Sequence, residues 1–292
     1  MKATATLPPC RHMLARAEIA RREEFRCAKG VSEVAREARP FLDGIASRDT
    51  PGTWASMAVA AGLDHATIES LGAERISAEI AELAAWYESA GIEPRVDCAP
   101  FVHRSFLRAL SAQRFVVRHY EQVFFRPLAA GAPLTPHVPT PPSLEIRIVD
   151  GDDDAMITAL VEAICTGFCP LGTPPSDAEL SLCRRCALHA RTLPFAALLD
   201  GRCVGGGFLE QLDDLVALFA LSVLPEHRRR GVQQALMAAR LNHAVRVGAT
   251  LATISGTPGQ GTERNVRRFG FDVAYTRISL IRPGPGLVGE RG

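Results

Sequence analysis

The chain has 292 residues, 47% of them hydrophobic, and this length suggests about two domains, each with its own core. Thirty-three basic against 32 acidic residues give a net charge of +1, which argues against a general surface for nucleic acid. No stretch approaches the roughly 20 apolar residues that span a bilayer, and residues 1–25 lack a signal peptide's apolar segment. Eight cysteines are too few for a disulfide framework, so we expect a cytoplasmic protein without membrane contact.

The first 128 residues alternate between strand-like and helix-like patterns. They predict a strand over 53–63, a helix over 78–91 that ends in glycine, and a strand over 93–98. A helix over 104–110 and a last strand over 113–128 follow. A segment rich in proline and small residues comes next, which predicts a semi-rigid, protease-sensitive linker. We therefore predict two units, 1–128 and 144–292, joined by a linker over 129–143.

The second unit has clearer periodicity. Helices are predicted over 152–168, 176–192, 232–247 and about 262–268; strands are predicted over 144–150, 215–224, 250–255 and 273–282, with a hairpin over 194–210 that turns at Asp200-Gly201. Strand 215–224 is apolar on both faces and should lie centrally in the sheet. This order predicts the α/β (α+β) class, with a mixed sheet covered by helices.

One junction combines several features of an anion site. Residues 223–236 read VLPEHRRRGVQQAL, so a buried strand gives way to a helix through three arginines and a glycine. The first N–H groups of a helix have no internal partner, and the helix dipole makes that end positive. Gly231 removes a side chain where a ligand approaches, and the arginines add donors. Such a loop suits a pyrophosphate.

The pattern Val-x-Pro-x-x-Arg-Arg-x-Gly over 223–231 resembles motif A of the GCN5-related N-acetyltransferase (GNAT) family, and the element order over 144–283 is similar to it. The resemblance implies a mostly antiparallel sheet flanked by helices and a site for acetyl-CoA, without a metal. It implies contacts with the pyrophosphate, pantetheine or thiol arm by Leu221, Ser222, Val223, Arg228, Arg229, Arg230, Gly231, Val232, Gln233, Gln234 and Asn265.

Three positions depart from the family pattern. Gln233 stands where the family has Gly or Ala, Val266 stands where many members have a proton-donating tyrosine, and the central strand has no carboxylate. A base acting through water is then sought nearby, and the candidates are Glu210, Asp213 and Asp214, with the alternative that this acidic cluster is a solvated turn. Tyr275 is the candidate acid, with the alternative that it packs in a strand. A bulge near Val223 would supply an N–H for the oxyanion.

The end of each unit contains a possible internal repeat. Residues 113–128 are similar to 268–284, and Phe115, Val117, Arg126 and Pro127 each precede a matching residue by 156 positions. The first unit therefore resembles a second, degenerate GNAT unit that lacks the phosphate-loop pattern in residues 64–77. The alternative is a coincidental match between two strands.

Four of the cysteines form two closely spaced pairs. Cys165 with Cys169 and Cys183 with Cys186 have the spacing of ligand pairs, but both pairs fall on predicted amphipathic helices, where cysteine is usually a small buried residue. The sequence therefore predicts no metal site.

These patterns favour an enzyme, an acyl-CoA-dependent N-acetyltransferase. It would transfer an acetyl group from acetyl-CoA to a primary amine of a small molecule or peptide by direct attack. The alternative is a CoA- or ligand-binding pseudoenzyme, and a nucleic-acid module is disfavoured by the neutral charge balance and the 6% aromatic content. We expect a monomer or a homodimer.

Overall fold

One continuous sheet runs through the computed structural model, which describes residues 16–259 and 261–290. Its strands are β1 (Glu37–Phe41), β2 (Gly44–Arg48), β3 (Met57–Val59), β4 (Arg95–Cys98), β5 (Val116–Pro127), β6 (Leu144–Ile148), β7 (Thr192–Leu199), β8 (Arg202–Leu212), β9 (Leu215–Val223), β10 (Leu251–Gly256) and β11 (Asp272–Ile281). The helices are α1 (Arg16–Val34), α2 (His65–Glu88), α3 (Arg104–Ala112), α4 (Asp154–Phe168), α5 (Asp177–Ala187), α6 (Val232–Arg246) and α7 (Gly261–Arg268).

The second unit follows the sequence prediction closely because its local signals are strong. Ser176 and Glu179 form a reciprocal capping box that starts α5. The hairpin turns at Asp200 and Gly201, both of which have positive φ, as the predicted turn requires. The first unit departs more from its prediction: α1, β1 and β2 were not anticipated, and β3 has three residues where a longer strand was expected.

The sheet confirms the predicted fold class. Its order is β1-β2-β3-β4-β11-β5-β10-β9-β8-β7-β6, and among these described strands only β3–β4 and β9–β10 pair in parallel. On one face, α6 and α7 bury a core that includes Leu218, Leu236 and Phe269. On the other face, α1, α4 and α5 cover residues such as Ala196 and Phe208. No helix in the described part of the chain is long and apolar enough to cross a membrane.

The two halves exchange their last strands. β5 belongs to the first half but pairs with β10 of the second, and β11 of the second half pairs with β4 of the first. β5 and β11 also pair with each other in antiparallel register, in which Arg277 stands opposite Glu121. The first residues of β4 and β5 precede those of β10 and β11 by 156 residues each, the same offset as in the sequence repeat. Glu121 and Arg277 are therefore equivalent positions that face each other across a local twofold relation.

The segment between β5 and β6 has no helix or strand, yet it is held against α6. The backbone N–H of Leu134 donates to Asn242 Oδ1 at 2.8 Å, and Asn242 Nδ2 donates back to the Leu134 carbonyl at 2.8 Å. The N–H of His137 donates to Gln234 Oε1 at 2.8 Å. Residues 134–140, which we call the strap, therefore lie along the outer side of α6.

Two predictions lie outside the described residues. They are the ends of the predicted units at residues 1 and 292, and most of the segment that lacks a signal peptide's apolar pattern.

Candidate functional site

A cleft opens in the second half where two parallel strands separate. β9 and β10 pair only over Leu251–Thr253 and Leu215–Ala217, although β9 continues to Val223 and β10 to Gly256. Because the hydrogen-bond ladder stops at Thr253, the carboxyl-terminal ends of the two strands diverge. This leaves main-chain groups of β9 without a neighbour on the β10 side.

A β-bulge lies in β9 beside the opening of this cleft. The pairing with β8 runs from Gly206–Ser222 to Phe208–Phe219, so Ala220 and Leu221 together face the single residue Gly207. Ala220 has φ of 52°, the left-handed conformation that a bulge of this kind uses. The sequence predicted a bulge near Val223, and the structure has it at 220–221. Such a bulge turns backbone groups away from the ladder and towards a ligand.

The loop between β9 and α6 is built to present N–H groups. Arg229 and Gly231 have φ of 59° and 78°, and two left-handed residues close together curve the backbone into a concave shape. Gly231 is the N-cap of α6, and no side chain caps this helix. The first N–H groups of α6 therefore point outward from the positive end of the helix dipole.

The three arginines of this loop differ in their contacts. Arg228 donates from Nε to the Val223 carbonyl at 3.1 Å and from Nη2 to the Gly167 carbonyl at 2.6 Å, so its guanidinium ties the loop to the end of α4. Arg229 and Arg230 are exposed. The predicted contact of Arg228 with a phosphate would thus have to come from its backbone, while the exposed guanidinium groups of the other two add positive charge.

Gly231 is required by the strap as well as by its backbone angle. A Cβ atom placed there would lie 2.7 Å from the Pro139 carbonyl oxygen and 3.0 Å from Thr140 Cγ2. We predicted that a ligand makes this close approach, whereas in the structure the strap makes it. Replacing Gly231 would therefore disturb the strap even in the absence of a ligand.

The remaining predicted cofactor residues are buried or make contacts within the protein. Gln233 Oε1 accepts a hydrogen bond of 2.7 Å from Asn265 Nδ2, so the structure brings these two side chains together across α6 and α7. Val232 and Val223 are buried in the core, and Leu221 packs against it, which leaves only their backbone groups for a ligand. Ser222 is also buried, and Gln234 is engaged by the strap.

Glu210, the predicted base, is 4% exposed and paired with two arginines. Its Oε2 accepts a hydrogen bond from Arg26, and its Oε1 accepts one of 3.1 Å from Arg191. It is neither a solvated turn residue nor an open carboxylate. Of the two acidic candidates beside it, Asp213 and Asp214, the carboxylate of Asp214 binds Arg22 and Thr250 at the far end of β9 from the loop. This arrangement argues against both Glu210 and Asp214 as the proton acceptor.

Tyr275, the predicted acid, is buried beneath α1. Its hydroxyl donates to Glu24 Oε1, and Glu24 also pairs with Arg277 at 2.8 Å. Burial, together with the Glu24 carboxylate, raises the pKa of Tyr275 well above its ordinary value. The hydroxyl is already engaged in a hydrogen bond, and its raised pKa makes it a weak acid. Tyr275 therefore fits the packing alternative better than the role of an acid. At the position where many family members have a tyrosine, Val266 is fully buried in the core.

Sequence reasoning missed Glu121 because it lies in the other half. β5 continues along β10 past Thr253, and there the Oε1 atom of Glu121 accepts a hydrogen bond of 2.9 Å from Ser255 Oγ. Its Oε2 accepts one of 2.7 Å from Arg277. The Glu121 side chain keeps 28% of its surface exposed, unlike that of Glu210. The 156-residue repeat was the one signal in the sequence that connected this strand with the second half.

The first half contains a loop equivalent to the one between β9 and α6. The N–H groups of this equivalent loop donate to carboxylates of the first half itself. β3 leads into α2 through Ala60 and Gly62, both with positive φ, as β9 leads into α6. The Asp43 carboxylate accepts hydrogen bonds from the N–H groups of Gly62 at 2.5 Å and Asp64 at 2.6 Å. Asp64 in turn caps the first turn of α2. An open cavity of about 460 Å³ lies beside this loop. The donors that a phosphate would need are thus occupied by negative side chains.

The cysteines lie on α4 and α5 or just after them, as the sequence predicted. Cys165, Cys183 and Cys186 are buried, and burial raises the pKa of Cys186 to about 12. Over residues 16–259 and 261–290, no group of three or more histidine, cysteine or acidic side chains is arranged to hold a metal ion.

The cleft, the bulge and the uncapped helix together define an α/β domain with an open site at the end of its central strands. Residues 159–271 match the family model of the acetyltransferase (GNAT) family. This part of the chain therefore belongs to the GNAT family, as the sequence pattern indicated.

Solved structures resemble the whole fold. A GCN5-related N-acetyltransferase from Kribbella flavida aligns with a TM-score of 0.65 and 17% identity, covering 94% of this chain and 98% of that one. One from Sphaerobacter thermophilus aligns with a TM-score of 0.57 and 20% identity, covering 78% of this chain and 73% of that one. A tandem GNAT protein from the clavulanic acid biosynthesis pathway aligns with a TM-score of 0.56 and 15% identity, covering 82% of this chain and 78% of that one. No curated protein matches the sequence. At these identities the likeness concerns the fold.

Proposed function

We propose that the chain is an acyl-CoA-dependent N-acetyltransferase that transfers an acetyl group from acetyl-CoA to a primary amine. The observation that carries this proposal is the uncapped start of α6 beside diverging strands, within a domain that matches the GNAT family. Two left-handed residues, the helix dipole and two exposed arginines suit a pyrophosphate. Acetyl-CoA therefore fits the residues present, with its pantetheine arm along Leu221–Val223.

The chemistry needs orientation more than it needs a dedicated acid. The amine nitrogen attacks the thioester carbonyl, the carbonyl electrons move to oxygen, and the intermediate then expels the CoA thiolate as the nitrogen loses a proton. The thiol of CoA has a pKa of about 8.5, so the thiolate is a tolerable leaving group at neutral pH. This agrees with a site in which Val266 stands at the tyrosine position. A backbone N–H at the β9 bulge would stabilise the oxyanion.

We propose Glu121 as the proton acceptor, acting through water. It is the carboxylate that lies beside Ser255 where β9 and β10 have separated, and its side chain is partly open to solvent. Arg277 and Ser255 hold it in place. The proposed site is composite, because the first half supplies a residue to a reaction in the second.

We further propose that only the second half binds acetyl-CoA. In the first half Asp43 and Asp64 already satisfy the N–H groups at the start of α2, and a pyrophosphate would meet their negative charge. This supports the interpretation of that half as a degenerate unit.

The test combines binding and turnover. Titration calorimetry should show one acetyl-CoA site per chain, and an amine panel should show release of CoA that increases with pH as the ammonium, with a pKa of about 10 if lysine-like, is deprotonated. Glu121→Gln should lower kcat by roughly 100-fold with acetyl-CoA affinity unchanged, a typical loss for general-base catalysis. Glu145→Gln, exposed on the outer strand β6, is the control.

The second candidate is a protein that binds CoA without turnover. The hydrogen bond between Gln233 and Asn265 and the burial of Val266 favour it, because neither position supplies a proton donor for the departing thiolate. Tight binding with no CoA release from any amine would support this candidate, and the absence of acetyl-CoA binding would reject both.

A further inference from the structure

Arg240 of α6 is a buried cation without a buried counter-charge. Its residue exposure is 0%, and no acidic side chain in the described part of the chain pairs with it. Nε donates to the Leu236 carbonyl at 3.2 Å, and Nη1 donates to the carbonyls of Phe208 at 3.0 Å and Phe219 at 3.3 Å. Nη2 is buried without a partner. Burying an unpaired charge is costly, and it lowers the pKa of Arg240 to about 9.

The guanidinium lies against the bulge of β9. Phe208 and Phe219 form the last strand pair before the bulge, so Nη1 bonds the carbonyls on both strands where the ladder is interrupted. A Cβ atom added to Gly207 would lie 2.9 Å from Nη1 of Arg240 and 3.3 Å from the Cα of Leu221. Arg240 and Leu221 therefore sit on either side of the same small space.

The run of three glycines in β8 makes room for this arrangement. A Cβ at Gly205 would lie 2.5 Å from the Ser222 carbonyl oxygen, and one at Gly206 would lie 2.1 Å from Leu160 Cδ1. With Gly207, these positions let β9 bulge and let the guanidinium approach the main chain. The sequence contains this run, but its hairpin role alone does not require three glycines.

We propose that Arg240 is a positioning residue for acyl transfer, which fixes the β9 bulge and brings a positive charge to the backbone that we propose for the oxyanion. This inference rests on the proposed function. When the amine attacks, negative charge develops on the carbonyl oxygen, and in a site with few charges to screen it a nearby cation stabilises that charge strongly. The same charge stabilises the departing thiolate relative to the thiol. Arg240 therefore assists both the attack on the carbonyl and the departure of the thiolate.

The experiment compares Arg240→Met and Arg240→Lys with the wild type. Three quantities are measured: acetyl-CoA affinity by calorimetry, kcat with the best amine, and the pKa of the thiol of bound CoA from the ultraviolet absorbance of its thiolate. Arg240→Met should lower kcat by roughly 100-fold, the scale of losing one oxyanion donor, while affinity changes little. It should also raise the pKa of the bound thiol, and Arg240→Lys should restore that pKa in part. Arg246→Met, exposed on the same helix, is the control.

Gly207→Ala provides a second route that keeps Arg240, because the added methyl group pushes on the guanidinium. It should also lower kcat and raise the thiol pKa, even if the methionine variant does not fold. A normal thiol pKa and kcat in folded Arg240→Met or Gly207→Ala would overturn the inference alone. Loss of affinity in parallel with kcat, without a change in thiol pKa, would mean a merely structural role and would also overturn it. If the wild type binds no acetyl-CoA, the proposed function fails and this inference falls with it; if it binds without turnover, the thiol pKa still decides.

Discussion

Charged residues of α1 are buried in ion pairs at the junction of the two halves. Glu23 accepts hydrogen bonds from Arg26 and from Thr253 Oγ1 of β10, the latter at 2.7 Å. Burial acts to raise the pKa of Glu23, but the charge and hydrogen bonds of Arg26 outweigh it, and the net pKa is lowered. Glu24 differs, because for it burial prevails and its pKa is raised. The pKa values of two neighbouring carboxylates on one helix are thus shifted in opposite directions.

Glu23 leads to a prediction for acid unfolding. Its folded pKa lies below its unfolded value of 4.5, so its contribution to stability is present above that pH and is lost as pH falls through the folded pKa. For the wild type, we expect the urea concentration at the unfolding midpoint to decrease as the pH is lowered below about 4.5. Glu23→Gln should show a smaller decrease of this midpoint over the same pH range. A parallel pH dependence in the two proteins would contradict this.

At the scale of elements, the strap changes the meaning of the proline-rich segment. Composition predicts a linker open to proteases, but the hydrogen bonds of Leu134 and His137 to α6 hold it, and His137 also packs edge-on against Phe269 at 5.0 Å. The strap passes Gly231 at the start of α6. Its docking therefore shapes the loop that we propose for pyrophosphate.

The strap should resist proteolysis for the same reason. Asn242→Leu removes both of its hydrogen bonds with Leu134, which should free the strap and increase the rate of cleavage within 134–140 several-fold. Limited proteolysis with mass mapping measures this rate, and Arg246→Leu on the exposed side of α6 is the control. Rapid cleavage of the wild-type strap would restore the view of a free linker.

At the scale of the whole molecule, the exchanged strands make the two halves interdependent. Without the first half, β10 would lose its partner β5, and β11 would lose both β5 and β4. Exposed strand edges of this kind favour aggregation. The buried ion pair of Glu24 with Arg277 would also be broken, which would leave an uncompensated charge. The sequence-based division at 129–143 marks where the chain crosses over, while the packing joins both sides.

A nicked protein tests this interdependence. A protease site inserted at Gly131, which is exposed and where an added Cβ would meet nothing within 4 Å, should be cut without separating the fragments. We expect them to elute together on size exclusion at the intact size and to keep acetyl-CoA affinity, whereas residues 144–292 expressed alone should aggregate. Two stable, separate fragments after cleavage would show that the exchanged strands are not the main contact.

The sequence by itself determined the second half, because its signals are local. The capping box at Ser176, the Asp200-Gly201 turn and the spacing of α6 each act within a few residues, so periodicity and turn chemistry identify them. The same holds for the loop with Gly231, whose glycine and arginines are adjacent in the chain. The repeat at an offset of 156 residues was also visible, and it coincides with β5 and β11.

Only the tertiary structure decided what surrounds the cleft. Glu121 comes from a strand more than 100 residues before Ser255, and Arg26, which pairs with Glu210, and Glu24, which accepts from Tyr275, come from α1 at the other end of the chain. Such contacts depend on strand order and on which face each helix covers, and no short-range pattern encodes either. The lone cation of Arg240 is hidden for the same reason, since a helical arginine in sequence is normally a solvated one.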